Sequence, residues 1–267
     1  MALIEKICKF GGMNVIYEDL SQSKRKLIGS LRQAKHRREE GLFAVEGTKA
    51  FGELKELFVC RMVAATSRWL ETHGNELPRG AEVFKASAAD MERMTSFATA
   101  SEVIAVMEMP KAAFDPEALK GKLVVALDCV QDPGNLGTII RTCDWYGVDT
   151  LLCSPDTVDV FNPKAIQSTM GAIGRVAVHY VNLPEAINAI GTPVYGTFLD
   201  GTDINRAELT ADGIIVMGNE GRGISPEVAA TVGRKLYLPP YPADREHVES
   251  LNVSIATAVT LARFRQG

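Results

Sequence analysis

The sequence predicts an α/β protein with a mainly parallel sheet in its C-terminal part, and three observations predict this fold class. Beyond residue 120, short apolar runs alternate with helical segments, as is typical of parallel sheets. Pro110 and Pro116 bracket a short stretch that suits a linker. The 267 residues, of which 46% are hydrophobic, suffice for two modest domains. We therefore expect one domain at residues 1–109 and another at residues 120–267.

The N-terminal part carries a basic segment followed by mixed elements. Residues 23–38 are predicted to form one helix, and residues 42–45 form a short apolar run. A second helix is expected at residues 48–57 and a strand at residues 103–107. The rest of the stretch from residue 61 to residue 107 gives only a generic pattern.

Strands and helices alternate through the C-terminal part. The apolar run at Leu123–Leu127 predicts a buried strand, followed by a glycine-rich turn and a helix at residues 136–146. Ser225 and Pro226 predict the start of a short helix, with Ser225 as N-cap. The remaining predicted strands are residues 150–153, 176–181, 194–199, 214–217 and 236–238, and the remaining helices are residues 163–170, 184–190 and 251–265. In such sheets ligands bind beyond the carboxyl ends of the strands.

Charge is unevenly distributed along the chain. The net charge of -4 argues against a protein that coats nucleic acid without specificity. The basic segment nevertheless contains no acidic residue between its first and last cation. Its basic residues are Lys24, Arg25, Lys26, Arg32, Lys35, Arg37 and Arg38. Such a segment forms either an RNA-binding surface or an ordinary solvated helix face.

Cysteine usage and hydropathy indicate the compartment. The five cysteines include no C-x-x-C pair, and Cys129, Cys143 and Cys153 lie in apolar surroundings, which predicts reduced thiols. The sequence has neither a signal-peptide pattern nor an apolar run long enough for a membrane helix. We therefore expect a cytoplasmic protein without a membrane partner.

Metal, hydrolase and nucleotide chemistry have little support. The four histidines, His36, His73, His179 and His247, are scattered, and no HExxH motif occurs. Neither a GxSxG nucleophile motif nor a GxGxxG or P-loop phosphate motif is present. We expect no metal site.

Three unusual loops follow predicted strands. In the first, Gly134 and Gly137 allow a tight turn or close approach to a ligand, and Arg141 lies one helical turn further on. In a purely structural interpretation, Arg141 would form a surface ion pair.

The second loop, residues 218–225, has three glycines within six residues, and it carries the carboxylate of Glu220. In the third, residues 249–258, Ser250 or Asn252 would cap the last helix, and this loop alone is more typical of structure than of function.

Taken in this order, the three loops resemble the motifs of the SpoU (TrmH) family of RNA 2′-O-ribose methyltransferases, which belongs to the SPOUT superfamily. The matching positions are Asn135, Gly137, Arg141 and Thr142 in the first motif, residues 218–225 in the second and residues 250–256 in the third. Residues 162–172 are also similar. Three motifs in the family's order are far more specific than any one of them.

This resemblance implies a fold that periodicity does not predict. It implies a C-terminal SPOUT domain with a parallel sheet and a trefoil knot, although knots are nearly absent from proteins in general. The knot would shape a pocket for S-adenosylmethionine, and homodimers would form around it. Residues 26–53 resemble the ribosomal-protein-like α/β RNA-binding domain that many members carry, which implies a smaller N-terminal domain of this kind.

The resemblance also implies roles for individual residues. Cofactor contacts, largely through backbone atoms, would come from Thr197, Leu199, Gly218, Leu238 and Leu251. The reaction centre would contain Asn135, Arg141, Glu220, Ser250 and Asn252. The seven cations of the basic segment would bind RNA, ribosomal RNA more readily than transfer RNA.

Arg141 is the family's candidate for helping to remove the 2′-hydroxyl proton. A guanidinium holds its own proton too tightly to be a good base. Arg141 therefore suits equally well the grip on a neighbouring phosphate or the stabilisation of a developing alkoxide.

Some positions depart from the family pattern. The loop at residues 239–248 is longer than usual and lacks the usual glycine, Gln167 stands where a basic residue is frequent, and Thr169 where serine is frequent. The sequence leaves three activities open: methylation of a ribose 2′-hydroxyl in ribosomal or transfer RNA, RNA binding without catalysis, and methylation of an RNA base. The motifs favour the first.

Overall fold

The computed structural model describes residues 8–10, 13–15, 17–111, 113–242 and 245–266. Residues 243 and 244, inside the long loop noted above, lie outside the described part. The chain divides into two compact units. Unit 1 comprises Met1–Lys111 with Phe161–Gln167, and unit 2 comprises Ala112–Val160 with Ser168–Gly267.

Unit 1 is built on a mixed five-stranded sheet and a separate antiparallel strand pair. Its strands are β1 (Cys8–Phe10), β2 (Met13–Val15), β3 (Glu18–Asp19), β4 (Leu42–Glu46), β5 (Cys60–Ala65), β6 (Glu82–Lys85) and β7 (Val103–Glu108). Its helices are α1 (Gln22–Ser30), α2 (Ala34–Glu40), α3 (Thr48–Leu54), α4 (Ser67–His73) and α5 (Ala88–Met94). The sheet order is β3-β6-β5-β7-β4.

The basic segment forms two helices, so the prediction of one continuous helix was wrong. The chain breaks between α1 and α2, where Leu31 is completely buried. The guanidinium of Arg37 donates to the carbonyl oxygens of Leu31 (2.7 Å) and Arg32 (2.9 Å). Carbonyls at the end of a helix have no donor within the helix, and the guanidinium of Arg37 supplies that donor here.

Unit 2 is built on a six-stranded sheet in which every neighbouring pair is parallel, which confirms the predicted fold class. Its strands are β8 (Leu123–Leu127), β9 (Thr150–Cys153), β10 (Ala177–Tyr180), β11 (Val194–Asp203), β12 (Gly213–Met217) and β13 (Arg234–Tyr237). Its helices are α6 (Pro133–Trp145), α8 (Leu183–Ile190), α9 (Pro226–Ala229) and α10 (Val253–Phe264). Most of α7 (Pro163–Thr169) belongs to the segment Phe161–Gln167 of unit 1. The sheet order is β10-β9-β8-β12-β11-β13.

The central strands explain the apolar runs in the sequence. All residues of β8, β9 and β12 are buried, as expected of parallel strands covered on both faces. The predicted bounds of β8 and β9 are confirmed. Because the strands are parallel, their carboxyl ends meet at one edge of the sheet.

The helix α6 begins earlier than predicted. Pro133 is its first residue, and the Asp132 carboxylate caps it by accepting from the backbone N–H of Asn135 at 2.9 Å. Gly134 and Gly137 therefore lie inside the helix, and the predicted glycine-rich turn at these positions was wrong. The cap places Asn135 in the first turn of α6, beyond the carboxyl end of β8.

The strand β11 leaves its neighbour and returns to it. Thr197 and Thr202 both take Leu236 of β13 as their register partner, so the residues between them form an excursion. Gly201 lies in this excursion, where a Cβ atom would be 2.5 Å from the carbonyl carbon of Leu236. The excursion brings one end of β11 close to the end of β13. The trefoil knot itself stays a prediction.

Candidate active site

A cavity of about 710 Å³ lies beyond the carboxyl ends of β12 and β13 in unit 2, at the excursion of β11. The segments that follow β12 and β13, the excursion of β11 and the segment before α10 form its walls. All five residues predicted to contact a cofactor line it: Thr197, Leu199, Gly218, Leu238 and Leu251. The strand ends thus converge where ligands bind in parallel sheets.

The loop after β12 folds tightly back on itself at this cavity. Asn219 and Gly223 exchange two backbone hydrogen bonds, each of 2.9 Å. A Cβ atom on Gly218 would lie 2.3 Å from the carbonyl carbon of Gly223 and 2.4 Å from the nitrogen of Ile224. No side chain fits at Gly218, so a ligand meets bare backbone there.

The side chain of Asn219 fixes this loop. Its Oδ1 accepts from the backbone N–H groups of Gly221 (2.9 Å) and Arg222 (3.1 Å), and its Nδ2 donates to the carbonyl of Cys129 at 2.8 Å. Asn219 therefore ties the loop after β12 to the end of β8. This residue was not among the predicted site residues, although asparagine beside glycine is a turn signal.

Asp128 gives the same loop a second anchor. It directly follows β8 and is only 5% exposed. Its carboxylate accepts from the backbone N–H of Ser225 at 2.7 Å, just before α9. Asp128 was likewise not predicted, and the signal available in the sequence was an acidic residue at the end of a buried apolar strand.

Three predicted reaction-centre residues form one chain of hydrogen bonds. The Nδ2 of Asn252 donates to the Oδ1 of Asn135 at 3.0 Å, and the Nδ2 of Asn135 donates to Glu220 at 2.6 Å. Asn252 also caps α10, since its Oδ1 accepts from the hydroxyl of Ser254 at 2.6 Å and from its backbone N–H at 3.0 Å. Asn135, Glu220 and Asn252 come from the three separate sequence motifs.

The other two predicted reaction-centre residues lie outside this chain of hydrogen bonds. Ser250 is exposed and lines the same cavity as Glu220. Arg141 is exposed on α6, and among the described residues its guanidinium has no hydrogen bond or ion pair. The structure therefore does not show the surface ion pair of the structural interpretation. A cation on a solvated helix face is available to an external anion.

The cations of the basic segment fall into three groups. Arg37 is only 2% exposed and holds the helix break described above, so its predicted contact with RNA is withdrawn. Lys24, Arg25 and Arg32 bond within unit 1, to Glu82 (2.6 Å), to the Asp90 carboxylate and to the Arg93 carbonyl respectively. The remaining cations, Lys26, Lys35 and Arg38, are exposed, and Lys35 faces Glu39 at 3.8 Å; Arg32 is exposed as well, but its guanidinium is bonded to the Arg93 carbonyl.

The carboxylate of Asp90, which pairs with Arg25, has a lowered pKa. The pKa of Asp90 is lowered by the hydrogen bond from Ser87 and then by that from Arg25. Arg25 thus faces a carboxylate that stays ionised, which leaves it less available to a phosphate.

The helix α10 carries apolar side chains on an exposed face. Ile255 (51% exposed) and Val259 (44% exposed) are one turn apart. We call these two residues the α10 stripe. The opposite face, which includes Ala256 and Leu261, is buried in unit 2.

Buried thiols and acidic clusters offer no further chemistry in the described residues. Burial raises the pKa of the Cys143 thiol to about 12, and burial also raises the pKa of Cys153. In the described ranges no three His, Cys, Asp or Glu residues are grouped so as to hold a metal ion. The helices in these ranges are too short or too polar to cross a membrane.

Comparison with known proteins gives matches to both units. A profile of the SpoU rRNA Methylase family matches residues 122–262, and a profile of an MRM3-like substrate binding domain matches residues 23–105. Over 259 residues the chain is 30% identical to the 23S rRNA (guanosine(2553)-2′-O)-methyltransferase RlmP of Bacillus subtilis, which covers 93% of this chain and 98% of that protein.

Solved structures resemble the chain over nearly its whole length. A structure from Porphyromonas gingivalis, assigned to the TrmH family of RNA methyltransferases, superposes with a TM-score of 0.83 at 38% identity and covers 92% of this chain and 98% of its own. An AdoMet-bound rRNA methyltransferase from Sinorhizobium meliloti superposes with a TM-score of 0.80 at 27% identity, covering 93% and 96% respectively.

Proposed function

The chain belongs to the SpoU rRNA methylase family, and on this premise we propose that it methylates a ribose 2′-hydroxyl of ribosomal RNA. It is an RNA 2′-O-methyltransferase that uses S-adenosylmethionine. The choice of ribosomal over transfer RNA is our proposal, supported by the relative from Bacillus subtilis, whose named activity is on 23S rRNA.

One observation carries the assignment of the reaction centre: the chain of hydrogen bonds from Asn252 through Asn135 to Glu220. It joins three sequence motifs at the wall of the cavity, where Glu220 lies. Polar side chains that hold one another in fixed directions can orient a substrate without further reorganisation. We infer that this chain of hydrogen bonds positions the target ribose.

The cavity fits S-adenosylmethionine. Its volume of about 710 Å³ is within the usual range for small-molecule sites. Its walls combine apolar side chains with the bare backbone at Gly218, where no Cβ atom could be accommodated. We propose that Thr197, Leu199, Gly218, Leu238 and Leu251 hold the cofactor, which when bound supplies a methyl group on a positively charged sulfur.

The side chains near the cavity have complementary roles in this proposal. Asn135 donates to one oxygen of Glu220, and the remaining acceptor capacity of this carboxylate serves a ribose hydroxyl. Ser250 adds a hydroxyl at the same wall. The exposed guanidinium of Arg141 would bind a phosphate next to the target ribose or stabilise charge that develops on the 2′-oxygen.

We propose that residues 1–109 form the RNA-binding domain and residues 120–267 the methyltransferase domain. The match of residues 23–105 to a substrate binding domain supports the first assignment. Of the predicted RNA-binding residues, Lys26, Lys35 and Arg38 keep exposed charges, so we assign them the principal phosphate contacts.

We also propose that the protein is a homodimer and acts in the cytoplasm. The α10 stripe supports dimerisation, because exposed apolar side chains at one-turn spacing are the pattern of a helix face that packs against a partner. The cytoplasmic assignment rests on the proposed ribosomal substrate and on the reduced thiols that the sequence predicts.

The first experiment is methyl transfer to defined RNA. The protein is incubated with methyl-labelled S-adenosylmethionine and, separately, with unmodified transcripts of 23S rRNA and of a pool of transfer RNAs. We expect label in 23S rRNA at one ribose, where 2′-O-methylation makes the adjacent phosphodiester bond resistant to alkali. Label in transfer RNA alone would contradict the ribosomal assignment.

Two controls test the chemistry. A chimeric transcript with deoxyribose at the mapped nucleotide should accept no label, since only ribose methylation needs the 2′-hydroxyl; persisting label would indicate base methylation. Arg141→Ala should abolish transfer while still binding S-adenosylmethionine. Cofactor binding without transfer to any transcript by the unmodified protein would contradict the proposal and favour RNA binding alone.

A further inference from the structure

Tyr241 stands at the mouth of the cofactor cavity with nothing from the described part of the chain covering it. It lines the cavity, yet the residue is 93% exposed. In the ranges that the structure describes, its ring has no aromatic contact and its hydroxyl no hydrogen bond. A large aromatic side chain held in water in this way is typical of a binding surface.

The backbone around Tyr241 is stiff. Pro239 and Pro240 precede it and Pro242 follows it, and each proline fixes its own φ angle. The imidazole of His247 donates to the carbonyl of Pro242 at 2.6 Å, and this hydrogen bond restrains the loop further. Because the backbone that carries Tyr241 is already restrained, little conformational entropy is lost when its ring binds a ligand.

Arg222 offers a charge at the same cavity. It is exposed and lines the cavity, and in the described part of the chain its guanidinium has no ion pair or side-chain hydrogen bond. Its backbone N–H is fixed by the Oδ1 of Asn219 at 3.1 Å. The backbone of Arg222 is thus held in place, while its guanidinium has no partner among the described residues.

We propose that Tyr241 and Arg222 bind one unpaired nucleotide of the RNA substrate, with the ring of Tyr241 stacked on its base and Arg222 paired with a phosphate beside it. The inference rests on the proposed function, because a ribose must reach this cavity for methyl transfer. Aromatic rings recognise unpaired RNA bases by stacking, and guanidinium groups recognise phosphates by paired hydrogen bonds.

A nucleotide fits this site better than a second copy of the chain. The residues that share the cavity wall with Tyr241 include the charged side chains of Glu220, Arg222 and Glu249. A protein interface excludes such charges from its centre, whereas a nucleotide needs both a flat apolar surface and a cation. The site would make the enzyme prefer a target whose neighbouring base is single-stranded.

The test compares Tyr241→Leu with Tyr241→Phe, which keeps the ring. The KM for 23S rRNA transcript is measured at saturating S-adenosylmethionine, and cofactor affinity is measured by calorimetry without RNA. We expect Tyr241→Leu to raise the KM about tenfold, the effect of losing one stacked base. Tyr241→Phe should match the unmodified protein, and neither variant should change cofactor affinity.

A binding measurement that needs no turnover separates this inference from the proposed function. A short single-stranded RNA that carries 2-aminopurine should lose fluorescence on binding, because stacking quenches this base. The quench should persist in Tyr241→Phe and disappear in Tyr241→Leu. Quenching by a protein that transfers no methyl group would support the nucleotide site and contradict the proposed methylation. Methyl transfer with an equal KM in the unmodified protein and both variants would support the methylation and contradict the nucleotide site.

Arg222→Met tests the phosphate contact. It should weaken RNA binding and reduce the slope of log affinity against log salt concentration by about 0.7, the value for one phosphate of a single strand. Weaker binding of S-adenosylmethionine would instead place Arg222 at the cofactor and overturn this part of the proposal. A change of oligomeric state in Tyr241→Leu, measured by sedimentation, would overturn the stacking role in favour of an interface.

Discussion

The side chain of Asn252 donates a hydrogen bond to that of Asn135 at 3.0 Å, although 117 positions separate them in the sequence. Asn135 in turn donates to Glu220, across 85 positions. Because the Oδ1 of Asn252 accepts from the first turn of α10, its Nδ2 is left to donate to the Oδ1 of Asn135. The Nδ2 of Asn135 is then left to donate to Glu220, so the cap of α10 fixes the direction of both hydrogen bonds.

Replacing Asn135 should impair catalysis without impairing cofactor binding. Asn135→Ala removes the donor to Glu220, and Asn135→Asp places a second carboxylate 2.6 Å from it, where like charges repel. We expect kcat to fall roughly 100-fold in both variants, the scale of a misplaced catalytic group. The affinity for S-adenosylmethionine, measured by calorimetry, should not change, because the cavity is lined without Asn135. Equal losses in affinity and kcat would contradict the positioning role.

Gly218→Ala should abolish cofactor binding. The added Cβ atom would lie 2.3 Å from the carbonyl carbon of Gly223, and a backbone atom can move aside only if the whole loop shifts. The matched control is Gly233→Ala in the same unit, whose Cβ atom would meet only the Val194 carbonyl oxygen at 3.7 Å. Cofactor affinity is measured by calorimetry and folding by circular dichroism. A Gly218→Ala protein that binds S-adenosylmethionine normally would show that the loop is not part of the site.

The exposed and buried cations of the basic segment should respond differently. A triple variant, with Lys26, Lys35 and Arg38 each replaced by glutamine, should bind RNA more weakly and with a salt slope smaller by about 0.7–0.9 per lost phosphate contact. Its stability to urea should be unchanged.

Arg37→Met is the contrasting variant. It removes the donor to the Leu31 and Arg32 carbonyls and should lower the free energy of unfolding by about 1–3 kcal/mol. If Arg37→Met instead weakened RNA binding with full stability, the structural role assigned to Arg37 would be wrong.

Charge on the α10 stripe should dissociate the proposed dimer. Glutamates at Ile255 and Val259 would be solvated in a monomer, since both positions are half exposed, but buried in a dimer that packs along this face. Sedimentation should show a shift to monomer at a concentration where the unmodified protein is dimeric. Val59→Glu, at an exposed valine of unit 1, is the control and should not change the sedimentation. A dimer that survives both glutamates would place the interface elsewhere.

The parallel sheet could be predicted from the sequence because its strands are buried on both faces. Leu123–Leu127 and Thr150–Cys153 are uninterrupted apolar runs, and the structure places strands at these residues. In unit 1, Cys60–Ala65 and Glu82–Lys85 were not recognised, because Arg61 interrupts the first apolar run and the second run begins and ends with a charged residue. The break in the basic segment depends on the burial of Leu31 and Arg37. Burial arises from contacts between distant residues and cannot be inferred from local helix propensity.

The site could be predicted only in part for the same reason. Motif positions identified several residues that line the cavity and the three residues of the chain of hydrogen bonds, but not the bonds between those three. The anchors Asp128 and Asn219 act on backbone groups of distant loops. Such a role follows from the fold rather than from spacing along the chain. Tyr241 stood out in the sequence only as part of an unusually long loop.

The order of the three motifs along the chain has a consequence for synthesis on the ribosome. Asn135 and Glu220 leave the exit tunnel well before Asn252, yet both depend on it through the hydrogen bonds that join them. A nascent polypeptide that ends between β13 and Asn252 would hold all six strands of the parallel sheet and two of the motifs, but it would lack a completed reaction centre. The pair formed by Asn135 and Glu220 therefore gains its third member only after the segment before α10 has been synthesised, and a product that ends before Asn252 would lack the full chain of hydrogen bonds.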